Sequence, residues 1–278
     1  MMMTAAKPSF LEFIVPILCV VRHFSLIKQF AGREINRRYR MSMLGFAWMV
    51  LGPLFTLSIY TFVFGYVLNS RWGSAIPETP ASFAIVLFAG LIVFWLFADV
   101  VSASPSAITG HSNLVTKAVF PVEILPIVPL VSAGSHALVS FSILLLAALA
   151  AGFELSITAL WAPVVLLPFL ILLLGIAWFL AALGVYIRDI GHLVGLAITG
   201  ALFLSPVFYS VSQLSENLRA LMMINPITFI IEQMRATVLM GQAPDLLGLS
   251  IYFSVAWVVA ALGLAFFRLV SKGFADVL

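Results

Sequence analysis

Apolar residues run through this chain in blocks too long and too uniform for a water-soluble fold. Six windows contain no Asp, Glu, Lys or Arg for 20 residues or more: 41–70, 79–98, 124–153, 155–187, 190–215 and 246–267. A bilayer hydrocarbon core of roughly 30 Å takes about 20 apolar residues of helix. Inside lipid every backbone polar group needs an internal partner, which restricts spans to helices and closed barrels. Barrel strands would alternate over about 10 residues, and these windows do not alternate. The pattern therefore predicts an all-α, polytopic membrane protein. Six transmembrane helices are expected at about 42–68, 81–101, 124–150, 161–186, 190–209 and 246–267.

The segments between the windows differ in kind. Before the first lies a stretch, 22–40, with helical amphipathicity. Phe24, Ile27, Ala31, Ile35 and Tyr39 fall on one side, and Arg22, Gln29, Arg33, Asn36, Arg37 and Arg40 on the other. Leu26, Lys28, Phe30 and Arg38 break the pattern. Such a helix lies at the membrane surface with its basic face toward head groups. One reading makes it an anchor and topology signal. A sharper one has Arg33, Arg37, Arg38 and Arg40 gripping a phosphate-bearing substrate, because a guanidinium matches phosphate geometry. The shorter apolar run at 10–21 contains Glu12 and Pro16 and lacks a small-residue cleavage site. It reads as an uncleaved segment on or near the membrane. Residues 1–41 are thus an N-terminal cytoplasmic segment, and 42–278 a six-span domain.

Residues 102–123 are too polar to span and too long for a tight turn. Asn113 is a plausible N-cap there, giving a cytoplasmic loop that contains a short helix. Residues 210–245 are half apolar and broken at Asn225-Pro226, a break or helix-start signal. Their two flanking runs are too short to cross, so they read as a pair of helices dipping into the outer leaflet. Glu232 and Arg235, spaced i, i+3, are able to pair.

Composition leaves little beside the spans. The chain is 63% apolar and only 9% charged, with mean hydropathy +1.17; a soluble domain carries about 25% charge. With both termini inside, eleven Lys and Arg residues lie on the inner side and three on the outer. The positive-inside rule favours that orientation. The single cysteine, Cys19, excludes an internal disulfide. Its helical spacing to His23 is incidental, and the other histidines form no metal motif.

Catalytic chemistry is nearly absent. None of the four lysines follows a glycine, so a phosphate-binding loop of the GxxxxGK[ST] type is impossible. No serine sits in a GxSxG elbow. Asp99, near the end of the second window, is a lone acid, expected to be solvated or paired with a neighbouring base rather than a proton site. No internal repeat suggests a carrier built from inverted halves. The chain is read as a transport component and not an enzyme, with uphill energy supplied by a partner. Aromatics make up 13%; most are interface belts or packing, and a minority reading has some lining a conduit for sugars, whose C–H faces stack on rings.

Four blocks carry a family resemblance: REINRRYRMSMLGFAWMVLGPL at 33–54, SNLVTKAVFPVEILP at 112–126, YIRDI at 186–190 and NPITFIIEQMR at 225–235. Over about residues 25–272 the chain resembles permease subunits of ABC-2 type ATP-binding-cassette exporters, in the polysaccharide branch that carries O-antigen, capsular polysaccharide or teichoic acid. The resemblance implies a homodimer in a bacterial inner membrane, with two copies of a cytoplasmic ATPase that holds ATP and magnesium. This chain would carry no cofactor or metal and meet no nucleic acid. The loop with Asn113, Leu114, Lys117, Phe120 and Pro121 would be the coupling helix seated on the ATPase. Asn225, Pro226, Glu232 and Arg235 would belong to outer re-entrant helices. Spans one and five would wall a conduit, with Trp48, Phe55, Tyr60, Phe62, Tyr66, Phe203, Phe208 and Tyr209 as lining candidates. The substrate would be a lipid-linked glycan with its phosphate or diphosphate beside the arginines of 33–40. The alternatives are an ABC-2 permease for drugs, lipids or haem, and a membrane enzyme acting on lipid-linked sugars. The second would need acidic or histidine groups on a sizeable loop, and no loop has them.

Overall fold

A computed structural model describes residues 21–40, 42–72, 77, 79–117, 120–211 and 214–278. The expectation for the apolar run at 10–21, with Cys19, falls almost wholly outside the described residues, as do the side chains of Arg40 and Lys117. Among the described residues the structure is all helix, without strands.

The amphipathic stretch forms α1 (Phe24–Arg40). Ile27, Ala31 and Tyr39 of its apolar side are buried, while Phe24 is exposed. A short 3₁₀ turn leads into α2 (Trp48–Tyr60), which continues as a π-helical segment, Thr61–Val67. Pro53 removes one backbone donor inside α2. Nearby, Thr56 and Ser58 hydroxyls donate to the carbonyls of Gly52 and Leu54. The π-helical widening brings Gly65 against the Pro80 carbonyl, where any side chain would collide.

The central helix is α3 (Ser82–Ala103). In its apolar window 78% of residues are buried, against 11% for α2, so α3 is a protein-surrounded core and α2 an uncovered edge. Beyond α3 come two 3₁₀ turns and α4 (Ser112–Lys117). The N-cap expected at Asn113 is corrected here: the helix begins one residue earlier, and Asn113 is an exposed residue of its first turn.

α5 (Ile127–Ala150) and α6 (Ala162–Tyr186) follow, and α10 (Leu246–Ser271) packs along α6. Small residues permit that approach: a Cβ on Gly175 would lie 2.7 Å from the Ala260 backbone. In lipid, where apolar burial drives little helix association, close backbone packing of this kind does much of it. The Trp178 indole donates to the Glu123 carbonyl at 2.9 Å, and Glu123 pairs with Arg268 at 3.5 Å, fixing the α10 end. The chain closes with α11 (Phe274–Val277), whose Phe274 is fully buried against Phe267.

Among the described residues five helices are long and apolar enough to cross a bilayer, close to five of the expected spans: Gly45–Val67, Ser82–Ser106, Val122–Ala150, Ile157–Tyr186 and Leu246–Ser271. The fifth window, expected to be helical over 190–209, holds a shorter element. α7 (Ile190–Phe203) has 14 residues, about 21 Å of helix, and then breaks into turns at 204–209. Two short helices follow, α8 (Glu216–Ile224) and α9 (Pro226–Val238).

Candidate functional site

Two regions gather polar groups, at opposite ends of α3. The first surrounds the break after α7. Backbone that leaves a helix inside a packed protein needs partners for its carbonyls, and four of them are met here by side chains. The Tyr209 hydroxyl donates to the Phe203 carbonyl at 3.1 Å, and the Asn225 amide donates to the Leu204 carbonyl at 3.0 Å and the Ser205 hydroxyl at 2.9 Å. Arg235 donates to the Pro206 carbonyl at 2.6 Å and the Val207 carbonyl at 2.8 Å.

Asn225 works in both directions. While its amide holds the break, its carbonyl oxygen accepts from the Ile227 N–H at 3.0 Å and caps α9. Pro226 takes the first helical position, where its missing donor and fixed φ cost nothing. Arg235, 1% exposed, also donates to the Val86 carbonyl of α3 at 3.1 Å and to Glu232 at 2.9 Å. Its guanidinium lies 4.4 Å from the centre of the Trp72 ring. Gly90 leaves the space it occupies: a Cβ there would meet Nη2 at 2.7 Å. One cation therefore ties α3, the loop before it, the α7 break and α9 together.

The second region lies at the other end of α3, under α1. Arg38 meets Asp99 at 3.2 Å, and Arg37 meets Glu34 at 2.9 Å. The base that Asp99 was expected to find is thus Arg38. Burial alone would lower the Arg38 pKa, but the charge and hydrogen bond of Asp99 carry it above its usual value. These four residues line an open cleft of about 380 Å³ with Ser102 of α3 and with Pro129 and Ser132 of α5. A smaller, more closed pocket beneath shares Asp99 and Ala133, and adds Trp95, His136 and Ser140.

Arg33 stands apart from that cleft, with its guanidinium 5.3 Å from the Phe30 ring. Phe30 in turn packs edge-on to Phe120 at 5.4 Å and to His111 at 6.0 Å. α1 therefore touches the loop that carries α4. In that loop Asn113 is exposed and Leu114, Phe120 and Pro121 are half-buried.

The aromatic candidates divide. Trp48, Phe55, Phe62 and Tyr66 are exposed, and with Leu51 and Ile59 they recur every three or four residues along one open face of α2. Tyr60 turns inward onto Phe64, at 5.9 Å. Phe203 is exposed at the end of α7, whereas Phe208 and Tyr209 are half-buried in the break. α7 itself is nearly uncovered; of its residues Val194 alone is buried. Trp72 was missed by the sequence reading, and no local signal marks it, because its partner lies on α9. No group of three or more His, Cys, Asp or Glu residues able to hold a metal occurs among the described residues.

Comparison with known proteins settles the family. The ABC-2 type transporter model matches residues 25–239. The chain belongs to the ABC-2 type transporter family. It is 31% identical over 222 residues to the O-antigen export system permease protein RfbA of Myxococcus xanthus, covering 79% of this chain and 82% of that protein. It is 24% identical over 256 residues to an O-antigen export permease of Klebsiella pneumoniae, covering 92% and 95% of the two chains. With the polysialic acid transport protein KpsM of Escherichia coli it shares 24% identity over 238 residues, covering 85% and 90%. The relatives are transport permeases, and the long apolar helices agree with a multi-pass membrane protein.

Proposed function

We propose that this chain is the permease subunit of an ATP-driven exporter that carries a lipid-linked polysaccharide across a bacterial inner membrane. What supports the reading is the uncovered aromatic stripe of α2 and the open face of α7, in a chain similar along most of its length to O-antigen and polysialic acid export permeases. Two copies of the chain would bring those faces together and enclose a conduit. Trp48, Phe55, Phe62, Tyr66 and Phe203 would offer ring faces to sugar C–H groups, with Tyr60, Phe208 and Tyr209 behind them. In this arrangement α7 and its satisfied break form the fifth of six spans, and α8 and α9 are re-entrant helices on the outer side.

The charge asymmetry supports an orientation with both termini, α1 and α4 in the cytoplasm. There, Asn113, Leu114, Lys117, Phe120 and Pro121 would seat on a separate ATPase, present in two copies and holding ATP and magnesium. Residues 1–41 would then be the cytoplasmic and interfacial segment, and 42–278 the transmembrane domain. Arg37 and Arg38, which line the cleft, would face the phosphate of the lipid carrier, and Arg33 and Arg40 of the same basic helix would add to the positive field around it. Deleting the gene in its host tests the reading. Surface polysaccharide should disappear while lipid-linked glycan accumulates on the cytoplasmic side. Intact surface glycan together with a new sensitivity to small amphiphiles would point instead to a small-molecule exporter.

A further inference from the structure

The cleft under α1 holds as many carboxylates as arginines. Its four ionic residues, Glu34, Arg37, Arg38 and Asp99, sum to zero formal charge, and each guanidinium already rests on a carboxylate. A cleft meant only to attract phosphate would omit the acids. A membrane protein, however, sits in a large excess of phosphodiester lipids. Two bare arginines at the interface would be held by those lipids.

Resting on the export reading, we propose that Glu34 and Asp99 act as built-in competitors. They make the cleft select diphosphate esters over monovalent phosphodiester lipids. A phosphodiester that displaces one carboxylate exchanges one negative charge for another and gains little. A diphosphate carries two or more charges, so in a cleft lined by both arginines it can displace both carboxylates and offer paired oxygens to a planar fork. The pairs are wet enough to exchange: the Arg37 and Arg38 side chains are 75% and 48% exposed, and those of Glu34 and Asp99 33% and 31%. Exposed pairs of this kind are weak and displaceable. Ser102 and Ser132 line the same cleft; the Ser102 hydroxyl donates to the Asp99 carbonyl at 3.2 Å and would turn from it to reach a phosphate oxygen.

The test uses the purified full-length chain in uncharged detergent. It measures binding of farnesyl diphosphate, inorganic diphosphate and phosphatidylglycerol by native mass spectrometry with titration. The parent should prefer farnesyl diphosphate to phosphatidylglycerol by about tenfold or more. Asp99→Asn and, separately, Glu34→Gln should each tighten phosphatidylglycerol and shrink that ratio roughly threefold, the scale of one exposed ion pair. Glu34→Gln alters only a surface pair within α1, so it tests the filter even where Asp99→Asn loosens the fold. Equal binding of inorganic and farnesyl diphosphate places selection in the phosphates alone; weaker inorganic binding adds a contribution from the chain. Both support the filter when the ratio falls in the variants. A ratio unchanged in both variants, or equal weakening of every ligand, overturns it. These binding ratios are read without transport, so their failure is separate from failure of the export reading.

Discussion

Replacing Arg235 with Gln removes the one cation that joins four segments. Arg235 donates to three backbone carbonyls, those of Val86, Pro206 and Val207, and to the Glu232 carboxylate. Each hydrogen bond from a charged donor contributes about 1.5–3 kcal/mol. Simple addition overstates the loss, because the partners share one side chain. Glu232 is 31% exposed and stays partly solvated, so the cost falls mostly on the three carbonyls left without a donor, at about 1–3 kcal/mol each, or about 3–5 kcal/mol together once their shared side chain is allowed for. At roughly 2–4 °C per kcal/mol for a chain of this size, the midpoint should fall by about 6–20 °C. Arg235→Lys keeps the charge with fewer donors and should fall between. The assay is thermal unfolding of purified protein in lipid nanodiscs. Arg37→Gln is the control, since that residue lies in a side-chain pair 75% and 33% exposed and should move the midpoint by no more than about 2 °C. If Arg235→Gln also melted within about 2 °C of the parent, the Arg235 clamp would be a bystander and the reasoning wrong.

Gly90→Ala places a Cβ 2.7 Å from the Arg235 guanidinium; it should lower the same midpoint by about 1–3 kcal/mol equivalent through overpacking, and an unchanged melt would show that the site is slack. Phe120→Asp with Pro121→Asp should release the ATPase subunit from co-purification; undiminished recovery would mean α4 and its loop do not seat it. In a Cys19→Ala background, Phe62→Cys or Phe203→Cys should give oxidative cross-links between two copies in membranes, because both positions are exposed on the open faces of α2 and α7; monomer alone at both would argue against a dimer interface there. Arg37→Ala with Arg38→Ala should reduce glycan export at least several-fold while the ATPase stays bound, and normal export would remove the phosphate-gripping role.

Much of this architecture was legible because lipid imposes a simple rule on sequence. Charge-free windows marked the five long helices to within a few residues, and Asn225-Pro226 marked the start of α9. The fifth window predicts too long a helix because hydropathy does not register a backbone break. Ser205-Pro206 was the available signal, since the residue before proline disfavours helix. The positions that broke the amphipathic pattern of α1 were informative for the opposite reason. Phe30 and Arg38 sit off the apolar face, and they are the residues that reach Phe120 and Asp99. The Glu232–Arg235 pair was readable from i, i+3 spacing, but the backbone carbonyls that dominate Arg235 lie 28 to 149 residues away in sequence. No local pattern encodes such contacts, and the same holds for Trp72.

The central claim is that this chain forms the membrane path of an ATP-driven glycan exporter. Co-reconstitution with its ATPase into proteoliposomes tests it most directly, with lipid-linked glycan in the ATPase-facing leaflet and accessibility to an added glycosidase as the readout. The account predicts ATP-dependent movement of glycan to the opposite leaflet, lost when this chain is omitted. ATP hydrolysis with no change in glycan accessibility would contradict it.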